Sequence, residues 1–111
     1  MRDANPTPLH AVLVEHEVQF TLVELGRACR ADSAQLVAFV EEGVLTPLGA
    51  DDDARAPAAR DPQEWRFGGA ALRRARTAQR LARDLELDAA AVALVIDLLD
   101  EIDALRARLP R

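Results

Sequence analysis

Residues 21–43 read TLVELGRACRADSAQLVAFVEEG, and this stretch decides the fold. Thr21 and Glu24 have the spacing of a capping box, in which each side chain binds the other residue's backbone N–H at the start of a helix. Asp32 and Gln35 repeat this spacing further along the chain, which indicates a second helix start. The stretch therefore predicts two short helices joined by a turn, the arrangement called a helix-turn-helix.

Both predicted helices have one apolar face, because their apolar residues recur at helical spacing. In the first helix, which we expect to end near Arg30, these residues are Leu22, Leu25, Ala28 and Cys29. In the second helix they are Leu36, Phe39 and Val40, and Gly43 supplies the end signal. We expect the two faces to form the centre of a thin hydrophobic core.

Other segments flank this unit. Residues 1–20 contain two prolines near their start and form the predicted N-terminal arm. Residues 44–48 leave the second helix in an extended conformation, and residues 65–67 return after a polar loop over residues 49–63. The two extended segments predict a small β-hairpin, or wing.

Two further helices follow the predicted wing. The third spans residues 70–83 and completes a head over residues 21–83, and Asp88 caps a fourth within the C-terminal segment 84–111. The apolar seam of the fourth helix consists of Val92, Val95, Leu99, Ile102, Leu105 and Leu109. At ~1.5 Å per residue the helix reaches roughly 30 Å. This length allows it either to pair with a second copy as a homodimer or to fold onto its own head.

The charge of the chain is acidic and unevenly placed. The formal net charge is −5, and all the basic side chains other than the two histidines are arginines. Residues 1–60 hold five Arg against ten Asp or Glu, whereas residues 61–111 hold nine of each. Because phosphate contacts need a cationic face, this balance argues against general nucleic-acid binding and favours a protein partner.

No pattern in the sequence predicts catalysis, a metal site or a cofactor. His10 and His16 are too far apart in sequence to indicate a clustered metal site, and Cys29 lies on an apolar helix face, where a buried thiol is expected. A single cysteine excludes an intrachain disulfide. The sequence shows neither a signal peptide nor a membrane span, so we expect a cytoplasmic, non-enzymatic protein.

The order helix-turn-helix, wing, helix and long helix resembles the MerR-type fold, with residues 25–29 and 39–47 similar to its first two helices and following strand. A closer resemblance, over roughly residues 18–109, is to the chaperone-modulator (CbpM-like) family, an offshoot of that fold. The segments that carry it are 65–67, 80–81, 85–88 and 98–102. The resemblance implies a mainly α fold, with a MerR-like winged helix-turn-helix head, a small β-hairpin wing and a long C-terminal helix.

The resemblance also implies a function. Members of the chaperone-modulator family bind the J-domain of a DnaJ-like co-chaperone, CbpA, and restrain its stimulation of the DnaK chaperone. The alternative implied by the wider MerR-type resemblance is a DNA-binding transcriptional regulator. The predicted second helix, residues 33–42, has no arginine and ends in two glutamates, which disfavours that alternative.

Two charged helix faces are the candidate binding surfaces. Four carboxylates on the fourth helix suit a basic partner, as J-domains present a basic helix: Asp97, Asp100, Glu101 and Asp103. Four arginines on the third helix form the candidate nucleic-acid surface of the alternative: Arg73, Arg76, Arg80 and Arg83. Either face is also compatible with an ordinary solvated surface, and the arginines with pairing to Asp84, Glu86 and the acidic residues of the fourth helix.

Overall fold

The computed structural model of the chain describes residues 18–49 and 60–110, and within these residues it is helical, with no β-strand. The helices are α1 (Leu22–Cys29), α2 (Ser33–Glu41), α3 (Gly69–Asp84) and α4 (Ala89–Ala107), with one short 3₁₀ turn at Pro62–Glu64. Their bounds confirm the helices predicted from the sequence to within about two residues. Most of the predicted arm, both histidines and the acidic run 51–53 lie outside the described residues.

The helix-turn-helix begins with the predicted capping box. Thr21 N–H donates to Glu24 Oε1 at 2.9 Å, and Glu24 N–H donates to Thr21 Oγ1 at 3.1 Å. Asp32 caps α2 in the same way, since its Oδ1 accepts from Gln35 N–H at 2.8 Å. Together these bonds satisfy backbone donors that a helix start leaves unpaired.

The turn between α1 and α2 is unusually close to the first helix. Arg30 adopts a left-handed backbone with φ 58°, and Ala31 N–H donates to Gly26 O at 3.0 Å. A Cβ atom at position 26 would lie 2.7 Å from Ala31 O, so the tight turn requires glycine there. Gly26 is accordingly buried, whereas the predicted core residue Ala28 is exposed, because the turn passes over the Gly26 side of α1.

The predicted β-hairpin wing does not form among the described residues. The segments 44–48 and 65–67 are extended, but they share one backbone hydrogen bond, from Leu48 N–H to Arg66 O at 2.7 Å. Pro47 has no N–H to donate to a ladder. The backbone of Phe67 pairs instead with Phe20, through two antiparallel bonds of 2.8 and 2.9 Å.

The core lies between the helix-turn-helix and the start of α4. Trp65 and Phe67 insert into it at 2% and 0% exposure, with their rings edge to face. α3 contributes Ala75 and Ala78, whose small side chains let the helices approach closely. Of the predicted α4 seam, Val92 is buried and Ile96, outside the seam, joins it. The rest of the seam from Leu99 onward is exposed, because the head ends near Ile96.

Candidate functional site

The acidic residues of α4 follow the part of the helix that packs on the head. Asp88 Oδ1 caps the helix by accepting from Ala91 N–H at 2.9 Å, and every residue from Asp97 to Pro110 is exposed. Asp97 and Glu101 are separated by four residues and share one side of the helix. Asp100 and Asp103 are turned toward α3. The four predicted carboxylates are therefore not one uniform patch.

Asp100 is held by an arginine of α3. Arg74 Nη2 lies 2.9 Å from Asp100 Oδ2, and Arg74 Nε donates to Val44 O at 2.7 Å. The hydrogen bond from Arg74 lowers the pKa of the Asp100 carboxyl below its ordinary value. Asp100 thus has a structural partner already.

A shallow groove lies between α3 and α4. Its floor contains Ile96 and Leu99, and Asp100 and Asp103 face Arg73 across it. The groove has a volume of about 380 Å³. Asp97 and Glu101 do not line it and form no ion pair within the part of the chain that the structure describes. We call these two carboxylates, which lie outside the groove, the acidic ridge.

A row of large apolar side chains runs along α4 and just past its end, beside the acidic ridge. Its members are 43–67% exposed, and they are Leu94, Leu98, Ile102, Leu105 and Leu109. Leu94 and Leu98 were not part of the predicted seam. The side of α4 that packs on the head is rotated by part of a helical turn from the predicted seam. These leucines therefore lie in solvent. We call this row the leucine face.

The predicted arginines of α3 are all exposed. Arg73 lines the groove, whereas Arg76, Arg80 and Arg83 do not. Arg83 Nε lies 3.7 Å from Asp84 Oδ1, which confirms the predicted pairing with Asp84. Pairing of α3 with the acidic residues of α4 also occurs, but through Arg74.

Cys29 is the buried thiol that the sequence predicts. Burial raises the pKa of the Cys29 thiol, and the nearby charge of Arg76 lowers it by a smaller amount. A raised pKa reduces the thiolate fraction, so the position is suited to packing.

α2 does not have the composition of a helix that reads DNA bases. Residues 33–41 contain no arginine, and the helix ends beside the exposed carboxylates of Glu41 and Glu42. Base edges and phosphates require donors at such a position. The interior of α2 is used for packing, through Leu36, Phe39 and Val40.

Neither a metal cluster nor a membrane-crossing helix is found where the structure can be described. Within residues 18–49 and 60–110, no three His, Cys, Asp or Glu side chains come together as metal ligands. None of the helices over those residues combines the length and apolar character needed to cross a bilayer.

Comparison with known proteins places this helical arrangement in a family. Residues 20–111 match the family described as MerR HTH family regulatory protein. A chaperone modulatory protein CbpM of Pseudomonas putida is 33% identical over 90 residues, which cover 81% of this chain and 79% of the relative. The chain belongs to the CbpM family of MerR-type proteins. Neither family description denotes an enzyme.

Other CbpM relatives align over a similar length. The chaperone modulatory protein CbpM of Coxiella burnetii is 28% identical over 101 residues, covering 91% of this chain and 86% of the relative. That of Pseudomonas entomophila is 30% identical over 90 residues, covering 81% and 79%. The CbpM alignments therefore include both the helix-turn-helix and the long helix, which confirms the resemblance seen in the sequence.

Proposed function

We propose that this protein binds the J-domain of a DnaJ-like co-chaperone of the CbpA type and inhibits its stimulation of DnaK. The observation that supports the proposal most directly is the acidic ridge of α4, where Asp97 and Glu101 stand exposed without a partner among the described residues. The name of the relatives, chaperone modulatory protein, points to chaperone-related partners.

The proposed mechanism is occlusion rather than chemistry. A J-domain offers a basic helix to DnaK, and the acidic ridge is complementary to such a helix in charge. While the ridge occupies that helix, the co-chaperone has no free basic surface with which to engage DnaK. No covalent step or cofactor is needed, and the effect depends on the concentration of the complex.

The leucine face suits a second copy of the chain. Its five large side chains extend over residues 94–109, and no described residue covers them. Paired with the same face of another copy they would leave water together, which is the main driving force for helix pairing. The proposed modulator is therefore a cytoplasmic homodimer through α4, with an acidic ridge on each protomer.

Calorimetric titration against the isolated J-domain of the same organism's co-chaperone tests the function. Wild-type protein should bind it, and the double variant Asp97→Arg, Glu101→Arg should raise the Kd by about tenfold or more. The matched control is Glu41→Arg, Glu42→Arg, which makes the same change in net charge on two exposed residues where α2 ends. A parallel assay of DnaK ATPase rate should show inhibition by the wild type and by the control.

A wrong binding surface and a wrong function give different results in these experiments. If the wild type binds the J-domain and the Asp97, Glu101 variant binds equally well, the ridge is the wrong surface although the function stands. If the wild type does not bind, the modulator function itself is wrong. Duplex DNA titrated in parallel examines the MerR-type regulator, which the composition of α2 makes the less favoured alternative. That alternative predicts binding that is lost on changing Arg73, Arg76 and Arg80.

A further inference from the structure

The arginines of α3 that do not line the groove with α4 form a second charged surface, which the proposed function does not use. Arg76, Arg80 and Arg83 are exposed and recur at four and three residues, so their guanidinium groups share one side of the helix. We call these three residues the basic face. Arg74, on another side of α3, is already engaged with Asp100 and Val44.

The basic face is not neutralised by its surroundings. Arg76 and Arg80 form no ion pair within residues 18–49 and 60–110, and Arg83 contacts only its chain neighbour Asp84, at 3.7 Å. The sequence adds to this concentration of charge, since residues 65–83 contain six arginines and no Asp or Glu. Like charges at this spacing repel one another, so an anionic partner would relieve a cost that the isolated fold bears.

The end of α1 lies against the helix that carries the basic face. Gln79 Nε2 donates to Arg30 O at 3.2 Å, which brings the end of α1 against α3, and the charge of Arg76 acts on Cys29 of α1. Arg30 is exposed as well. The basic face therefore lies on a helix that a hydrogen bond and the core hold against α1, and guanidinium groups on such a support can receive carboxylates in fixed geometry.

We propose that the basic face binds an acidic segment of a protein partner, at a surface separate from the acidic ridge. A nucleic acid is the other polyanion to consider, but two observations disfavour it. The net charge of the chain is −5, and this charge repels an extended polyanion. It affects a short acidic segment much less, because charges further away than a Debye length of about 8 Å are largely screened. Moreover, the face offers no exposed aromatic ring on which bases could stack, since the described aromatics are buried or half-buried.

Fluorescence anisotropy with the full chain tests this proposal. The probe is a labelled helical peptide of glutamate and alanine with its glutamates four residues apart, and single-stranded and duplex DNA of matched charge are the comparators. The peptide should bind more tightly than either DNA. The double variant Arg76→Glu, Arg80→Glu should raise the Kd for the peptide by about tenfold or more.

The control variant is Arg106→Glu, Arg108→Glu, which changes the net charge equally on exposed residues at the end of α4. It should leave peptide binding within about twofold of the wild type, because neither residue belongs to the basic face. Arg76→Gln, Arg80→Gln repeats the test without introducing repulsion, and circular dichroism checks that each variant keeps its helical content. Equal losses from the two arginine pairs, tighter binding of DNA than of peptide, or no peptide binding by the wild type would each overturn the proposal.

Discussion

Arg74 links α4 to the end of the helix-turn-helix through its bond to Asp100. The same guanidinium donates to Asp100 Oδ2 at 2.9 Å and to Val44 O at 2.7 Å. Val44 is the first residue after the turn that ends α2, and it is 2% exposed. The direction of the long helix is consequently tied to the head by one side chain from α3, beyond the packing of Val92 and Ile96.

Replacing Arg74 should destabilise the fold more than replacing its acidic partner. Arg74→Ala leaves the buried Val44 carbonyl without its donor, and an unsatisfied buried acceptor costs about 1–3 kcal/mol. Asp100→Asn keeps the Val44 bond and weakens only an exposed contact. Urea denaturation of both variants checks the order, and an equal loss in the two would show that the bond to Val44 contributes little.

The Arg74–Asp100 pair should make stability depend on pH in the acidic range. The hydrogen bond from Arg74 lowers the pKa of Asp100 from its ordinary value of 3.8. The folded form thus binds this proton less readily than the unfolded form, so the contribution is present above that value and is lost as the pH falls through the lower folded pKa.

Thermal unfolding of the wild type and Asp100→Asn across this range is the measurement. The wild type should have the higher Tm at neutral pH, and the gap should close at the acidic end. The gap should be small, because Asp100 is exposed and solvent screens the pair. A difference in Tm that stays constant with pH would contradict the assignment.

The elements that the sequence predicts well are those fixed by neighbours in the chain. The caps at Thr21 and Asp32 depend on residues three positions away, and the turn at Gly43 depends on its own positive φ of 81°. Such interactions follow from residue type and spacing alone.

The features that could not be predicted from the sequence depend on long-range packing. The wing fails because Phe67 pairs with Phe20, a partner far away in the sequence, and because Pro47 cannot donate. The role of Arg74 depends on how α3 packs against α4. Helical periodicity shows only that Arg74 lies on a different side of α3 from Arg76 and Arg83. The same packing decides which of the predicted carboxylates are available, since it engages Asp100 and leaves Asp97 in solvent.

Gly26 should be the least replaceable glycine among those described. In Gly26→Ala the new Cβ would lie 2.7 Å from Ala31 O, a backbone atom that cannot move without opening the turn. Overpacking of this kind typically costs about 1–3 kcal/mol. The matched control is Gly68→Ala, where the nearest atom is a flexible Leu48 side chain at 3.7 Å and φ is −95°. Chemical denaturation should show a clear loss for position 26 and a smaller one for position 68.

The leucine face should determine the oligomeric state without contributing to the fold of one protomer. Leu98 and Leu105 are 55% and 49% exposed, so Leu98→Asp with Leu105→Asp changes no core side chain of the described residues. If the face pairs with a second copy, burying two carboxylates there is unfavourable and the variant should sediment as a monomer with its helical content unchanged. Leu85→Asp, at a residue 59% exposed and outside α4, serves as the control and should keep the wild-type state. Equal sedimentation of all three proteins as monomers would rule out the homodimer and leave the leucine face, beside the acidic ridge, for the J-domain.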